Sequence, residues 1–490
     1  MNACANVLVT GPVISGRHHA RLHRNLYSSW PGTKMVEKAK GVEEISKGSW
    51  IVCGASFLVQ FIVFGLQNSF GILFTPLLEA FHSDELRTAW LGTLALTLMY
   101  FLGPIMTVLC QRFGCHLVAL VGSCLASVGL LTSSFVTDFS LLFITYGICW
   151  GVGTSMCFYS SLVTLNTHFK RRLSLAYGLA MAGAGFGLPV ISKLQSMLIL
   201  KHGWRFSLRV FSSSGIVLFL CGCIFAIPST SCLPKETKEP LGEKDVFTIR
   251  RSWYKRCLIS TRNGIKLFFD YELFTRSRAL SVWTLSLSLI LSGYFIPFVF
   301  LVRMASDVGI PQPQSALLIG YIAISQAISK VIFGKVGDVE ATSRITILQI
   351  FALISAVNTT LCPLAYNYAC FLVFVIVFGI CDGCFAVMFS MGTHLIVGDK
   401  DMPRAFGNVC CIVALVQAVG TPLAGLIYDI FGEYSIAFFI SGGLSTLGVS
   451  VMFLVPLLLN SRQQPQNNGP ITTEISCLQE QKTPLETSQV

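Results

Sequence analysis

Twelve apolar stretches, each about long enough to cross a bilayer, run through this chain between Trp50 and Leu459. A helix needs about 20 apolar residues to span the hydrocarbon core. Inside lipid the backbone must satisfy its own hydrogen bonds, so repeated runs of this length fold as helices. The runs fall six and six around one charged loop at 229–278. That count and that gap point to a polytopic transporter rather than an enzyme. Composition agrees, because 53% of the 490 residues are hydrophobic and only 12% are charged. A soluble domain carries roughly 25% charged residues.

The pattern predicts spans 1 to 6 at 50–75, 88–110, 116–136, 140–165, 173–200 and 208–228. Spans 7 to 12 are predicted at 279–303, 314–334, 343–364, 368–397, 404–428 and 434–459. The domains expected are therefore a tail at 1–49, a six-helix half at 50–228, the basic loop at 229–278, a second half at 279–459 and a tail at 460–490.

The net charge of +11 comes from tails and loops, which argues against a nucleic-acid surface. Basic loops mark the cytoplasmic side. The N-terminal tail, the 2–3 loop with Arg112, the 4–5 loop with Lys170, Arg171 and Arg172, the 6–7 loop and the 8–9 loop with Lys335 and Arg344 share one side. Both termini are then expected in the cytoplasm. The run Ala5–Ile14 has no basic region ahead of it, so it does not read as a signal peptide.

Eighteen cysteines are scattered, mostly inside apolar runs, as small packing residues are. Cys381 and Cys384 stand three apart without a second pair or a histidine cluster, so no metal and no cofactor is expected. No catalytic constellation or nucleotide-binding glycine loop is visible, and the chain is not expected to be an enzyme.

Four polar side chains stand out inside the spans. Asp382 is the one acid well inside a predicted span, flanked by Phe378, Ile380 and Phe385. A charge at mid-membrane costs about 2.5–3.5 kcal/mol on insertion scales, so it faces a cavity or a partner. Lys330 in span 8 is the natural partner. Gln67 and Asn68 are neighbouring amides amid Phe61–Phe74, and they require hydrogen-bond partners from substrate or from another helix. Tyr294, Phe295 and Phe298 add aromatic lining in span 7.

Six plus six spans with a long central loop resemble the major facilitator pattern, two related halves around a midplane site. Gly103-Pro104 followed by Gln111-Arg112-Phe113-Gly114, and Gly334-Lys335-Val336-Gly337-Asp338, resemble the motif that hinges such halves. The first copy has Gln111 where an acid is usual. The segment His168-Phe169-Lys170-Arg171-Arg172-Leu173-Ser174-Leu175-Ala176-Tyr177-Gly178 resembles the entry to span 5 in the monocarboxylate transporter family. That family's entry to span 1 is reduced here to Lys47-Gly48-Ser49-Trp50. Phe64-Gly65-Leu66-Gln67-Asn68-Ser69, Gly293-Tyr294-Phe295-Ile296-Pro297 and Asp382-Gly383-Cys384-Phe385 are similar to its aromatic amino acid and thyroid hormone branch.

The resemblance implies an arginine where this chain has Lys330, meeting the span 10 acid or a substrate carboxylate. It implies a pocket shaped by Tyr159, Phe300, Tyr294 and Phe298. Proton-coupled lactate carriers have lysine at the Asn68 position and aspartate at the Gln326 position. An amide cannot titrate at physiological pH. Facilitated transport of a small organic solute across the plasma membrane, not coupled to protons, is therefore expected. The alternatives are a proton-linked monocarboxylate symporter and a non-transporting sensor or scaffold. Some relatives need an accessory single-span glycoprotein. The terminal Ser488-Gln489-Val490 fits a scaffold domain that captures a C-terminal carboxylate.

Overall fold

The computed structural model describes residues 47–169, 172–227, 271–294, 296–338, 343–431 and 435–463. The two tails, most of the 229–278 loop, Lys170 and Arg171 lie outside the described residues, as does the side chain of Phe298. Every regular element among the described residues is a helix. Eight helices are long and apolar enough to cross a membrane, and a ninth arises when a pair bent by 48° is joined. Two of these are double spans that change course at Gly203 (φ 81°) and Gly398 (φ 77°). Arg278–Ser292 with Ile296–Asp307 completes the twelve.

Hydroxyl residues are tolerated inside these helices because they bond back to their own turn. Thr107 Oγ1 donates to Gly103 O at 3.0 Å, Thr154 Oγ1 to Trp150 O at 2.9 Å and Thr164 Oγ1 to Ser160 O at 2.7 Å.

Several spans predicted as continuous are broken. Span 1 is Lys47–Asn68 and Phe70–Phe81, interrupted at Ser69. Span 2 is Glu85–Phe101 and Gly103–Phe113, bent where Pro104 removes a backbone donor. Span 4 runs from Phe139–Leu142 through a π-helical segment, Phe143–Trp150, into Gly151–His168. Span 7 parts between Ser292 and Ile296, beside Gly293 and Pro297.

Spans 5 and 8 cross backbone to backbone. A Cβ on Gly178 would stand 2.3 Å from Lys330 O and 2.8 Å from Gly334 Cα, so no larger residue fits that crossing. Spans 2 and 11 repeat the contact, where a Cβ on Gly407 would stand 2.7 Å from Gly103 O. Both crossings lie toward the end that carries Arg112, Arg172, Lys335 and Arg404, called the basic end below.

Candidate functional site

A run of aromatic rings connects the first six spans to the last six. Phe64 of span 1 meets Tyr100 and Phe158 with centroids 6.3 and 5.7 Å away. Phe158 abuts Tyr159 at 5.0 Å, and Tyr159 reaches Phe406 of span 11 at 6.4 Å. Phe406 meets Phe389 at 5.1 Å, and Phe389 stacks on Phe385 at 6.2 Å. Phe385 meets Tyr294 of span 7 at 6.4 Å, and Tyr294 meets Phe378 at 5.8 Å. These spacings fall within the range in which aromatic pairs attract.

Asp382 sits against this run, five per cent exposed and between Phe378 and Phe385 in span 10. Its Oδ2 accepts a hydrogen bond from Gln326 Nε2 of span 8. Lys330, one turn further along span 8, is four per cent exposed. The expected Lys330–Asp382 ion pair is not formed within 4 Å, and the amide one turn earlier takes the carboxylate instead. Tertiary geometry decides this, since residues 326 and 330 share one face of a helix and only one meets the acid.

The sequence expectation left Gln67 between substrate and helix bridging, and its bonds are internal. Trp150 Nε1 donates to its Oε1 at 3.1 Å, and its Nε2 donates to Gly92 O at 3.3 Å. Gln67 thus ties span 1 to spans 2 and 4, at the end of the π-helical segment. Asn68 is exposed and stands at the break of span 1. The next residue, Ser69, donates to Gln195 Oε1 of span 5 at 2.6 Å. Gln195 was not singled out from sequence, nor was Gln60, which donates to Ser161 Oγ at 3.1 Å. Each carries the same signal as Gln67, an amide in an apolar run.

Tyr159 is fully buried, and its hydroxyl donates to Tyr100 O at 3.1 Å. Phe300 is buried in a cluster with Ile296, Met304, Leu318 and Phe371, against which Tyr294 also packs. Tyr294 is half-buried beside the aromatic run.

The described residues expected to form the hinge motif lie at the basic end. Asp338 Oδ1 accepts from Ser174 N at 3.0 Å and its Oδ2 from Leu175 N at 3.2 Å. An acid from the 8–9 loop therefore caps the start of span 5, where free N–H groups favour negative charge. Burial pushes the Asp338 carboxyl up from its usual range, while these two donors, Arg344 and Arg172 pull it back. The first motif copy differs, because Gln111 Oε1 accepts from Arg404 Nε of span 11 at 3.1 Å. Arg112 closes the last turn of span 2, and Gly114 turns the chain into span 3 at φ 86°. Gly334 is held against Gly178 at the crossing of spans 5 and 8.

Comparison with known proteins matches this architecture. Residues 56–301 and 282–485 match the Major Facilitator Superfamily. The chain is 29% identical to human (Homo sapiens) monocarboxylate transporter 10 over 421 residues, covering 85% of this chain and 79% of the relative. Zebrafish (Danio rerio) monocarboxylate transporter 10 is 29% identical over 443 residues, with coverage of 89% and 84%. The crystal structure of the human organic anion transporter MFSD10 superposes with a TM-score of 0.62 at 15% identity, over 82% of this chain and 99% of that one. The proton:xylose symporter XylE superposes with a TM-score of 0.63 at 12% identity, over 84% and 96%. Those two likenesses carry the fold alone. The chain belongs to the Major Facilitator Superfamily and, within it, to the monocarboxylate transporter family of secondary transporters.

Proposed function

We propose that this protein moves an amphipathic organic solute, an aromatic amino acid or a related aromatic monocarboxylate, by alternating access without proton coupling. The observation that carries this reading is the aromatic run from Phe64 to Phe378 passing beside buried Asp382. Stacked rings suit the flat face of an aromatic solute. Lys330 offers the positive charge for a carboxylate, and Asp382 offers the negative one for an amine. Asn68 supplies an uncharged donor and acceptor at the break of span 1, where a broken helix leaves backbone groups for a ligand. Tyr294 and Phe298 of span 7 complete the lining, with Gln67, Tyr159 and Phe300 holding the walls.

The two six-span halves divide at 229–278 and rock about the crossings of spans 5 with 8 and 2 with 11. Arg112, Gly114, Lys170, Arg171, Arg172, Gly334 and Asp338 belong to that hinge. The basic end is cytoplasmic on the charge rule. On this reading, both crossings closed at that end make an outward-facing state of a plasma-membrane carrier whose termini are cytoplasmic. The partners of this reading are a single-span glycoprotein and a scaffold domain that captures the C-terminal Ser488-Gln489-Val490.

Uptake of labelled tryptophan, tyrosine, iodothyronine and lactate by cells expressing the chain tests it, at mildly acid and at neutral pH. Uptake of an aromatic solute, insensitive to pH and lost in Asp382→Asn and Lys330→Ala, is expected. Lactate uptake that rises in acid would overturn it.

A further inference from the structure

Cys110 and Cys115 bracket the turn between spans 2 and 3. Cys110 stands in the last turn of Gly103–Phe113, and Cys115 is the first residue of Cys115–Ser133. Gly114 N donates to Cys110 O at 3.0 Å, and the positive φ of Gly114, 86°, turns the chain back on itself. That turn brings the two side chains together against Val118 and Val163. Their thiols share a hydrogen bond, and both cysteines are free.

Neighbouring hydroxyls hold each sulfur in place. Cys110 Sγ and Ser160 Oγ of span 4 are 3.4 Å apart, and Cys115 shares a hydrogen bond with Thr164, one turn further along span 4. The two thiols differ in access. Cys110 is three per cent exposed, while Cys115 is half-buried. Cys115 also opens a helix, and the free N–H groups at a helix start favour the negative charge of a reacting sulfur. An oxidant therefore meets Cys115 first, with Cys110 behind it as the second thiol. Cys381 and Cys384 differ on both counts, since they stand three apart within one helix and are each two per cent exposed or less.

We propose that Cys110 and Cys115 are a redox pair, oxidised by hydrogen peroxide to a disulfide that locks the turn between spans 2 and 3. The Cys115 sulfur attacks the peroxide, the O–O bond breaks, and a sulfenic acid and one water form. The Cys110 sulfur then attacks the Cys115 sulfur. The S–O bond breaks, and the hydroxyl leaves with the Cys110 proton as a second water. In all, the two thiols give up two electrons and two protons, and the peroxide takes them up. A small thiol such as glutathione reverses the bond by exchange. The lock acts at the basic end. Its ring encloses Gln111, whose amide oxygen meets Arg404 of the other half, and it draws Cys110 off Ser160 of span 4.

The pair needs no solute, so its test stands apart from the uptake assay. Purified full-length protein in lipid nanodiscs is treated with hydrogen peroxide, unfolded, and alkylated with and without prior reduction, and its peptides are read by mass spectrometry. The peptide holding Cys110 and Cys115 should be lighter by two hydrogens and resist alkylation until reduced, while Cys381 and Cys384 alkylate fully. Hydrogen exchange at 111–114 should slow by about tenfold in the oxidised protein. In Cys110→Ser the sulfenic acid on Cys115 should persist and be trapped by dimedone, and in Cys115→Ser the Cys110 thiol should survive the same treatment. Full alkylation of both cysteines after peroxide, equal oxidation of Cys381 and Cys384, loss of the Cys110 thiol in Cys115→Ser, or unchanged exchange at 111–114 would each overturn the proposal.

Discussion

Gln67 and Asp382 are both polar residues in apolar helices, and their surroundings separate their roles. Both ends of the Gln67 amide are engaged within the first half. Gln67→Leu should therefore cost stability, about 1–3 kcal/mol through the stranded Trp150 N–H, while leaving the affinity for solute nearly unchanged. Thermal unfolding in detergent alongside the uptake KM separates the two. Tyr159 presents its ring to Phe406 and spends its hydroxyl on Tyr100 O. Tyr159→Phe should retain most uptake, whereas Tyr159→Ala, which breaks the aromatic run between the halves, should abolish it. The charges of Asp382 and Lys330 were legible because they interrupt apolar runs. Their partners were not, because the Trp150 that meets Gln67 is 83 positions away and helical spacing alone could not choose Gln326 over Lys330 for Asp382.

The helices show the same division between pattern and packing. Span positions follow from hydropathy, because an apolar run of sufficient length has few other fates in lipid. The breaks at Ser69 and at Gly293 do not, since hydropathy continues across them and the cost of unwinding is met by distant groups such as Gln195 and Ser441. The loop motifs were visible as glycine and charge, yet the asymmetry between them emerges only in three dimensions. Asp338 caps span 5 across the halves, while Gln111 meets Arg404. Asp338→Ala removes two charge-assisted bonds from the closed basic end. Spin labels on the 4–5 and 8–9 loops should then report a population at longer distance, and an unchanged distribution would show that this cap does not hold the closed form. Gly178→Val meets the backbone of Lys330 and Gly334 directly. It should prevent the crossing from closing and lower uptake to background while the protein still reaches the membrane, as surface labelling would show.

Membership in the Major Facilitator Superfamily rests on matches over nearly all of the described spans. The solute rests on the aromatic run, which joins six spans and both halves and was only partly legible in advance. Tyr159 and Tyr294 were identified from sequence, but Phe64, Tyr100, Phe158, Phe389 and Phe406 are ordinary phenylalanines and tyrosines until folding aligns them. Phe300, expected at the pocket, is buried in a cluster of the second half against which Tyr294 also packs. The most direct measurement of the central claim is uptake of radiolabelled tryptophan by cells expressing the chain, compared with Phe406→Ala and Asp382→Asn at matched surface levels. Saturable uptake that is equal at acid and neutral pH and lost in both variants is the predicted result. Saturable uptake that survives loss of the ring and of the acid would contradict it.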